Sequence, residues 1–142
     1  MTEIATSGAS AHKDNTLLGN VLAIGSRLVS EGRIPQDVID GAKGAYAICL
    51  VARDCTEVRI LHAGEGVEVG RSPDAGTPHW RIDDPWMSRR HFLFAVEANG
   101  SPALRCLGAK NGTFVNDEAV EDCAPLRRGD VIRAGSSSFL LL

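Results

Sequence analysis

No apolar run in these 142 residues approaches the ~20 consecutive positions that a membrane-crossing helix requires. The amino terminus is acidic and polar, with no signal-peptide core. No membrane role is expected, and a cytoplasmic protein is the default expectation. There is no excess of positive charge either: the formal net charge of −3 argues against a general nucleic-acid binder, so any anion site must be local. The four cysteines, Cys49, Cys55, Cys106 and Cys123, form no C-x-x-C pair and have no histidine at zinc-ligand spacing. Neither a metal site nor a thioredoxin-like motif is expected, and no cofactor. Cys49 and Cys106 lie in apolar runs and read as small core fillers; Cys55 and Cys123 lie in polar turns. There is no internal repeat. What is present is ordinary for a globular chain, 44% hydrophobic and 23% charged, long enough for one self-sufficient core plus an appended segment.

The chain divides into three parts. Residues 1–13 are small, polar and without periodicity, and read as a disordered leader. Residues 14–43 read as a helical extension. Asp14, Asn15 or Thr16 caps a helix with Leu17, Val21, Ile24 and Leu28 on its apolar side, and Gly32 stops it. Pro35 then suits the first turn of a short second helix running to about Ala42, with Val38 and Ile39 as its contacts. From residue 45 to residue 142 the segments "AYAICLVA", "TEVRILHA", "GVEVGR", "HFLFAVEA", "PALRCLG", "TFVND", "DVIRAG" and "SFLLL" read as short strands. Turn signals stand at Asn99-Gly100, Asn111-Gly112, Gly129-Asp130 and Gly135-Ser136. Many short strands at close intervals favour an all-β sandwich over a parallel α/β sheet. The chain stops inside the last of these strands, which leaves a small complete adaptor and a piece of a longer protein as alternatives.

The stretch "MSRRHFLF" at 87–94 sets Arg89 beside Arg90 with no adjacent acid, an arrangement that suits one arginine facing an anion and the other facing solvent. Four pieces of the strand region, "VGRS" at 69–72, "SRRH" at 88–91, "KNGTFVN" at 110–116 and "LRRGDVI" at 126–132, each fall at a turn between expected strands. In this order and spacing the region from Ala45 to Leu142 resembles the forkhead-associated (FHA) domain. The resemblance implies an all-β sandwich of two sheets whose loops at one end bind a phosphothreonine peptide.

The residue chemistry suits that expectation. Phosphothreonine carries nearly two negative charges and three strong acceptors, so its receptor needs a cation and several donors on rigid loops. Arg71 matches the principal cation, with a planar fork that can donate two parallel bonds. Ser88 and Arg89 match further phosphate contacts, while Arg90 is expected to be a solvated outward neighbour. Lys110 falls where the family often places a hydroxyl residue, and its ammonium either adds a second cation or points to solvent. Asn111 matches the asparagine that bonds the peptide main chain, since an amide both donates and accepts. Gly70 and His91 match as scaffold, His91 holding Ser88 across the loop. Gly112 suits a left-handed turn, within which Thr113 can bond.

The expected partner is thus a phosphothreonine-containing protein or peptide, in trans or from the same parent chain. A phosphate-independent structural or oligomerisation module on the same fold is the alternative, with self-association through residues 14–43. A hydrolase built on Ser88 and His91 is disfavoured, because no G-x-S-x-G elbow surrounds Ser88 and a histidine three residues along an extended strand projects away. Arg127 and Arg128 read as solvated. Trp80 and Trp86 flank the Ser88 loop; core packing is the expectation for both, although Trp86 is near enough to line a peptide groove.

Overall fold

The computed structural model describes residues 23–41, 44–51, 55–72, 76 and 78–142. The leader at 1–13 and the first positions of the extension lie outside the described residues.

Two sheets form a β-sandwich. The first has six strands in the order β2-β1-β11-β10-β7-β8: β1 Tyr46–Val51, β2 Cys55–Leu61, β7 Thr113–Val115, β8 Glu118–Val120, β10 Val131–Ala134 and β11 Ser137–Leu141. The second has five in the order β4-β3-β5-β6-β9: β3 Gly66–Gly70, β4 His79–Arg81, β5 Phe92–Val96, β6 Pro102–Cys106 and β9 Cys123–Pro125. All pairs are antiparallel except β3 with β4. Apolar alternation sets the inward faces: on β5, Phe92, Phe94 and Val96 are buried and the residues between them are less so. Phe92 and Trp80 each meet Phe139 edge-on, with ring centroids 5.4 Å apart. Ile48, Val69, Leu104, Ile132 and Leu141 complete this inner layer. Trp80 is core, as expected; its indole N–H donates to Glu57 Oε1 at 2.8 Å.

The eight expected strands are all present. Three more were not expected: β4, β8 and β9, each three residues long. β4 exists through its parallel pairing to β3, with Val69 opposite Trp80. The β7–β8 hairpin turns at Asn116 and Asp117, both with positive φ (50° and 69°), one strand later than the Asn111-Gly112 signal. That two-residue geometry is the one whose twist matches paired strands. Cys123 is exposed on β9 and Cys55 opens β2, so both belong to strands rather than turns.

The described part of the extension packs on the outer face of the six-stranded sheet. Helix α1 is described over residues 23–30 and ends in a Schellman turn: Gly32 has φ 73°, and the Arg33 N–H donates to Leu28 O at 2.9 Å. Helix α2, Gln36–Ile39, starts after Pro35 and is shorter than expected, ending at Asp40 before the left-handed Gly41. Leu28, Ile34 and Val38 bury against Ala45, Ala47, Cys49, Leu140 and Leu142. β1 and β11 are therefore buried on both faces, which is why "SFLLL" reads as a continuous apolar run.

Arg128 departs from the solvated expectation. Its guanidinium donates to Val38 O (3.0 Å), Leu142 O (2.9 Å) and Ala45 O (2.8 Å), and stacks 4.0 Å over the Tyr46 ring. It clamps α2 to the start of β1 and the end of β11. No described helix is long and apolar enough to cross a membrane.

Candidate functional site

Three loops at one end of the sandwich are bonded into one surface: the turn after β3, the segment between β4 and β5, and the segment between β6 and β7. Gly70 ends β3, and there the chain runs against the 88–91 backbone: the Arg71 N–H donates to Ser88 O at 3.0 Å and the Ser72 N–H to Arg89 O at 3.1 Å. A Cβ on Gly70 would collide with the Arg89 carbonyl, so this approach requires glycine. Arg71 thus emerges beside Ser88. Its Nε donates to Met87 O at 3.1 Å, which orients the guanidinium by one edge. Among the described residues its terminal nitrogens take no partner.

His91, fully buried, joins the other two loops. The Ser88 N–H donates to Nδ1 at 3.0 Å, so Nδ1 is the acceptor and Nε2 carries the proton, which it donates to Gly112 O at 2.7 Å. The ring accepts from the Ser88 amide, not from its hydroxyl, and is not placed to deprotonate it. Ser88 Oγ instead accepts the Lys110 N–H at 3.0 Å, which directs its own proton elsewhere. Asn111 Nδ2 donates to Trp86 O at 2.8 Å. Gly112 adopts the left-handed conformation expected of it (φ 78°). Thr113 differs: it opens β7 with its side chain buried beside Cys106, and among the described residues Oγ1 takes no nitrogen or oxygen partner within the turn.

Of the cations, Arg71, Arg89 and Lys110 are exposed, and among the described residues none is paired with an acid. Arg90 is exposed to solvent, as expected, but it is not free. Its Nε and Nη2 donate to the two oxygens of Glu68 at 3.1 and 3.0 Å, and the Glu68 side chain is only 5% exposed. This two-pronged pair holds Arg90 on the β3–β5 sheet face, away from Arg89.

Sequence reading did not pick out Asp84. Its Oδ1 accepts the Trp86 N–H at 2.9 Å, and its Oδ2 accepts the Ser136 N–H at 2.8 Å and the Ser137 hydroxyl at 2.7 Å. Burial alone would raise its carboxyl pKa, but the bonds from Ser137, Trp86 and Ser136 outweigh burial and hold it below the ordinary value. Gly135, at the β10–β11 turn, leaves room for this contact: a Cβ there would lie 2.8 Å from Asp84 Oδ2 and 2.9 Å from Met87 N. Trp86 is 65% exposed, the only exposed large hydrophobic side chain among the described residues, contrary to core packing.

The arrangement presents an exposed guanidinium, a hydroxyl donor, two further cations and an amide on a bonded frame, which is chemistry for holding an anion and an extended main chain. The FHA domain family model matches residues 67–135. Among solved structures, the FHA domain in a study of phosphothreonine-dependent FHA interactions is 30% identical, with a TM-score of 0.58 over 68% of this chain and 94% of that one. The FHA domain of FhaA, solved with the intracellular domain of Rv3910, is also 30% identical, with a TM-score of 0.57 over 68% of this chain and 99% of its own. The FHA domain of the CT664 protein from Chlamydia trachomatis, 23% identical, shares the fold with a TM-score of 0.63 over 69% and 96%. No curated protein matches the chain. The two 30%-identical relatives, with the family match beside them, make the chain a member of the FHA domain family, carrying an FHA-fold module of the protein-interaction type.

Proposed function

We propose that this domain binds a phosphothreonine-containing segment of a protein and recruits it, without chemistry of its own. The observation that carries the reading is Arg71: one edge of its guanidinium is tied to Met87 O at 3.1 Å and its main-chain N–H to Ser88 O at 3.0 Å, which leaves the remaining donors of an exposed guanidinium next to Ser88 in the bonded frame. A phosphate there meets a planar cation and a neutral donor already held in place, so little ordering is required on binding. Arg89 and the Lys110 ammonium, both exposed, add charge. Lys110 also contributes through its main chain, whose N–H holds Ser88 Oγ. Asn111 pairs with the peptide backbone, and its amide lies within one hydrogen bond of Trp86, whose exposed indole then lines the groove. Preference for threonine over serine, which membership of the family implies through a small apolar niche for the γ-methyl, is worth about 1–3 kcal/mol at most. The partner is supplied in trans or by the same parent chain, and the setting is cytoplasmic.

Fluorescence anisotropy with phosphothreonine, phosphoserine and unphosphorylated peptide pools tests the reading. Saturable binding of the phosphothreonine pool, with affinity reduced at least tenfold in Arg71→Ala, is expected from the loss of a charge-assisted pair. Equal binding of the unphosphorylated pool refutes it. The alternative, a phosphate-independent oligomerisation module, is weakened by one observation: the apolar side chains Leu28, Ile34 and Val38 are buried on this chain's own sheet. Self-association through the extension then falls to residues 14–22, outside the described residues.

A further inference from the structure

We infer that Asp84 is a positioning residue for peptide recognition, its buried carboxylate fixing the Trp86 main chain that orients Asn111. The ligand in this inference is the phosphopeptide proposed above, but the contacts it invokes exist in the free protein.

Asp84 is 3% exposed, and a buried carboxylate is costly unless its oxygens are filled. Here both are filled, and by two different loops. Oδ2 is held by Ser136 and Ser137 at the β10–β11 turn of the six-stranded sheet. Oδ1 reaches the Trp86 N–H in the segment that leads into β5 of the other sheet. The carboxylate is thus a fixed bracket between the two sheets at the recognition end.

What hangs from the bracket is specific. Trp86 has both main-chain polar groups committed, its N–H to Asp84 and its C=O to Asn111 Nδ2 at 2.8 Å. Met87 is committed likewise: its N–H donates to Asp84 O at 3.1 Å and its C=O receives Arg71 Nε at 3.1 Å. The two carbonyls that orient Asn111 and Arg71 therefore belong to the two residues whose amides Asp84 holds, Trp86 through the carboxylate and Met87 through the main-chain carbonyl of the same turn. The carboxylate's own hold on this turn is what ties the Trp86 carbonyl, and with it Asn111, to the β10–β11 turn. The Gly135 backbone, which admits no Cβ against Asp84 and Met87, preserves the same approach.

The test uses Asp84→Asn in the full chain, which keeps shape but replaces one accepting oxygen by an NH2 group, so that either the Trp86 N–H or the Ser136 N–H loses its acceptor. Nuclear magnetic resonance of the free protein reads the Asn111 side-chain amide and the Arg71 Nε–H. Both resonances are expected to shift and their exchange with water to quicken, while phosphothreonine-peptide affinity falls about tenfold. In the double variant with Asn111→Ala, the loss should fall short of the product of the single losses, because one group acts through the other. Unchanged Asn111 and Arg71 resonances, or fully multiplicative losses, overturn the inference. Should Asp84→Asn fail to fold, Ser137→Ala removes a single donor to the bracket and must move the same resonances to a smaller extent; no movement overturns the inference equally. If the wild-type chain binds no phosphothreonine peptide, the ligand reading fails, and the resonances of the free protein still decide whether Asp84 positions Asn111.

Discussion

Replacing Arg128 by methionine keeps most of the side-chain stem and removes the guanidinium that joins α2, β1 and β11. Three carbonyls lose a charged donor, but they are not equally affected. Val38 O still accepts the Gly41 N–H at 3.1 Å, and Leu142 O the Ala47 N–H at 3.1 Å. Only Ala45 O is left without a donor among the described residues. One unsatisfied, buried carbonyl costs about 1–3 kcal/mol, and loss of the cation stacked on Tyr46 about 0.5–1 kcal/mol. The sum is about 1.5–4 kcal/mol, which for a domain of this size lowers the melting temperature by roughly 10 °C. Urea unfolding of Arg128→Met beside Arg127→Met provides the assay, since Arg127 is the exposed neighbour of like charge and should cost no more than about 0.5 kcal/mol. Hydrogen exchange at Val38 to Asp40 should quicken in Arg128→Met alone. If the two variants unfold at the same urea concentration, the clamp contributes nothing and the docking of the extension rests on apolar contact only.

Gly70→Ala drives a methyl into the Arg89 carbonyl, so a loss of about 1–3 kcal/mol is expected together with weakened peptide binding; wild-type values for both in the same titrations would contradict the close approach. Trp86→Ala should leave stability within about 0.5 kcal/mol, because the side chain is exposed and its main-chain bonds survive, while peptide affinity falls several-fold. Unchanged affinity would remove the indole from the groove. Asp84 also predicts an acid signature. Because its folded carboxyl pKa is lowered, its contribution to stability is complete above the ordinary aspartate value of about 3.9 and is lost as pH falls through the folded value. The gap in urea midpoint between wild type and Asp84→Asn should hold from neutral pH to about pH 5 and narrow in stronger acid; a gap that widens on acidification has the wrong sign.

The parts of the fold legible in the sequence are those whose burial writes a local pattern. Phe92, Phe94 and Val96 alternate along β5, and the run at 139–142 records a strand covered on both faces. β4, β8 and β9 write nothing comparable: "HWR", "EAV" and "CAP" are too short for a period and contain exposed or ring-constrained residues, so they become strands only through a partner already in place. The same division runs through the site. Arg71, Ser88 and Asn111 stand out because their neighbours are turn residues at fixed spacing. Asp84 does not, since the donors to its Oδ2 lie 52 and 53 residues away and nothing around "DDPW" marks one aspartate as buried.

The two arginine doublets show how such long-range partners assign function. Arg89-Arg90 and Arg127-Arg128 look alike as sequence, yet each pair divides into one arginine whose guanidinium is engaged by the fold and one whose guanidinium takes no partner among the described residues. Arg90 is neutralised by Glu68 from the neighbouring strand, and Arg128 is satisfied by three carbonyls with no acid among the described residues. A cation already paired has little left to offer a ligand, because an incoming anion must displace the partner and bear the cost of exposing or stranding it. Arg127 is exposed but stands at a turn whose bonds close on Asp130. Arg89 is exposed on a segment whose neighbours, Ser88 and Arg71, are fixed with donors to spare. An anion reader needs charge that the fold has positioned without neutralising, and in this chain that condition holds at Arg71, with Arg89 and Lys110 beside it, on the frame that Gly70, His91 and Asp84 keep in place.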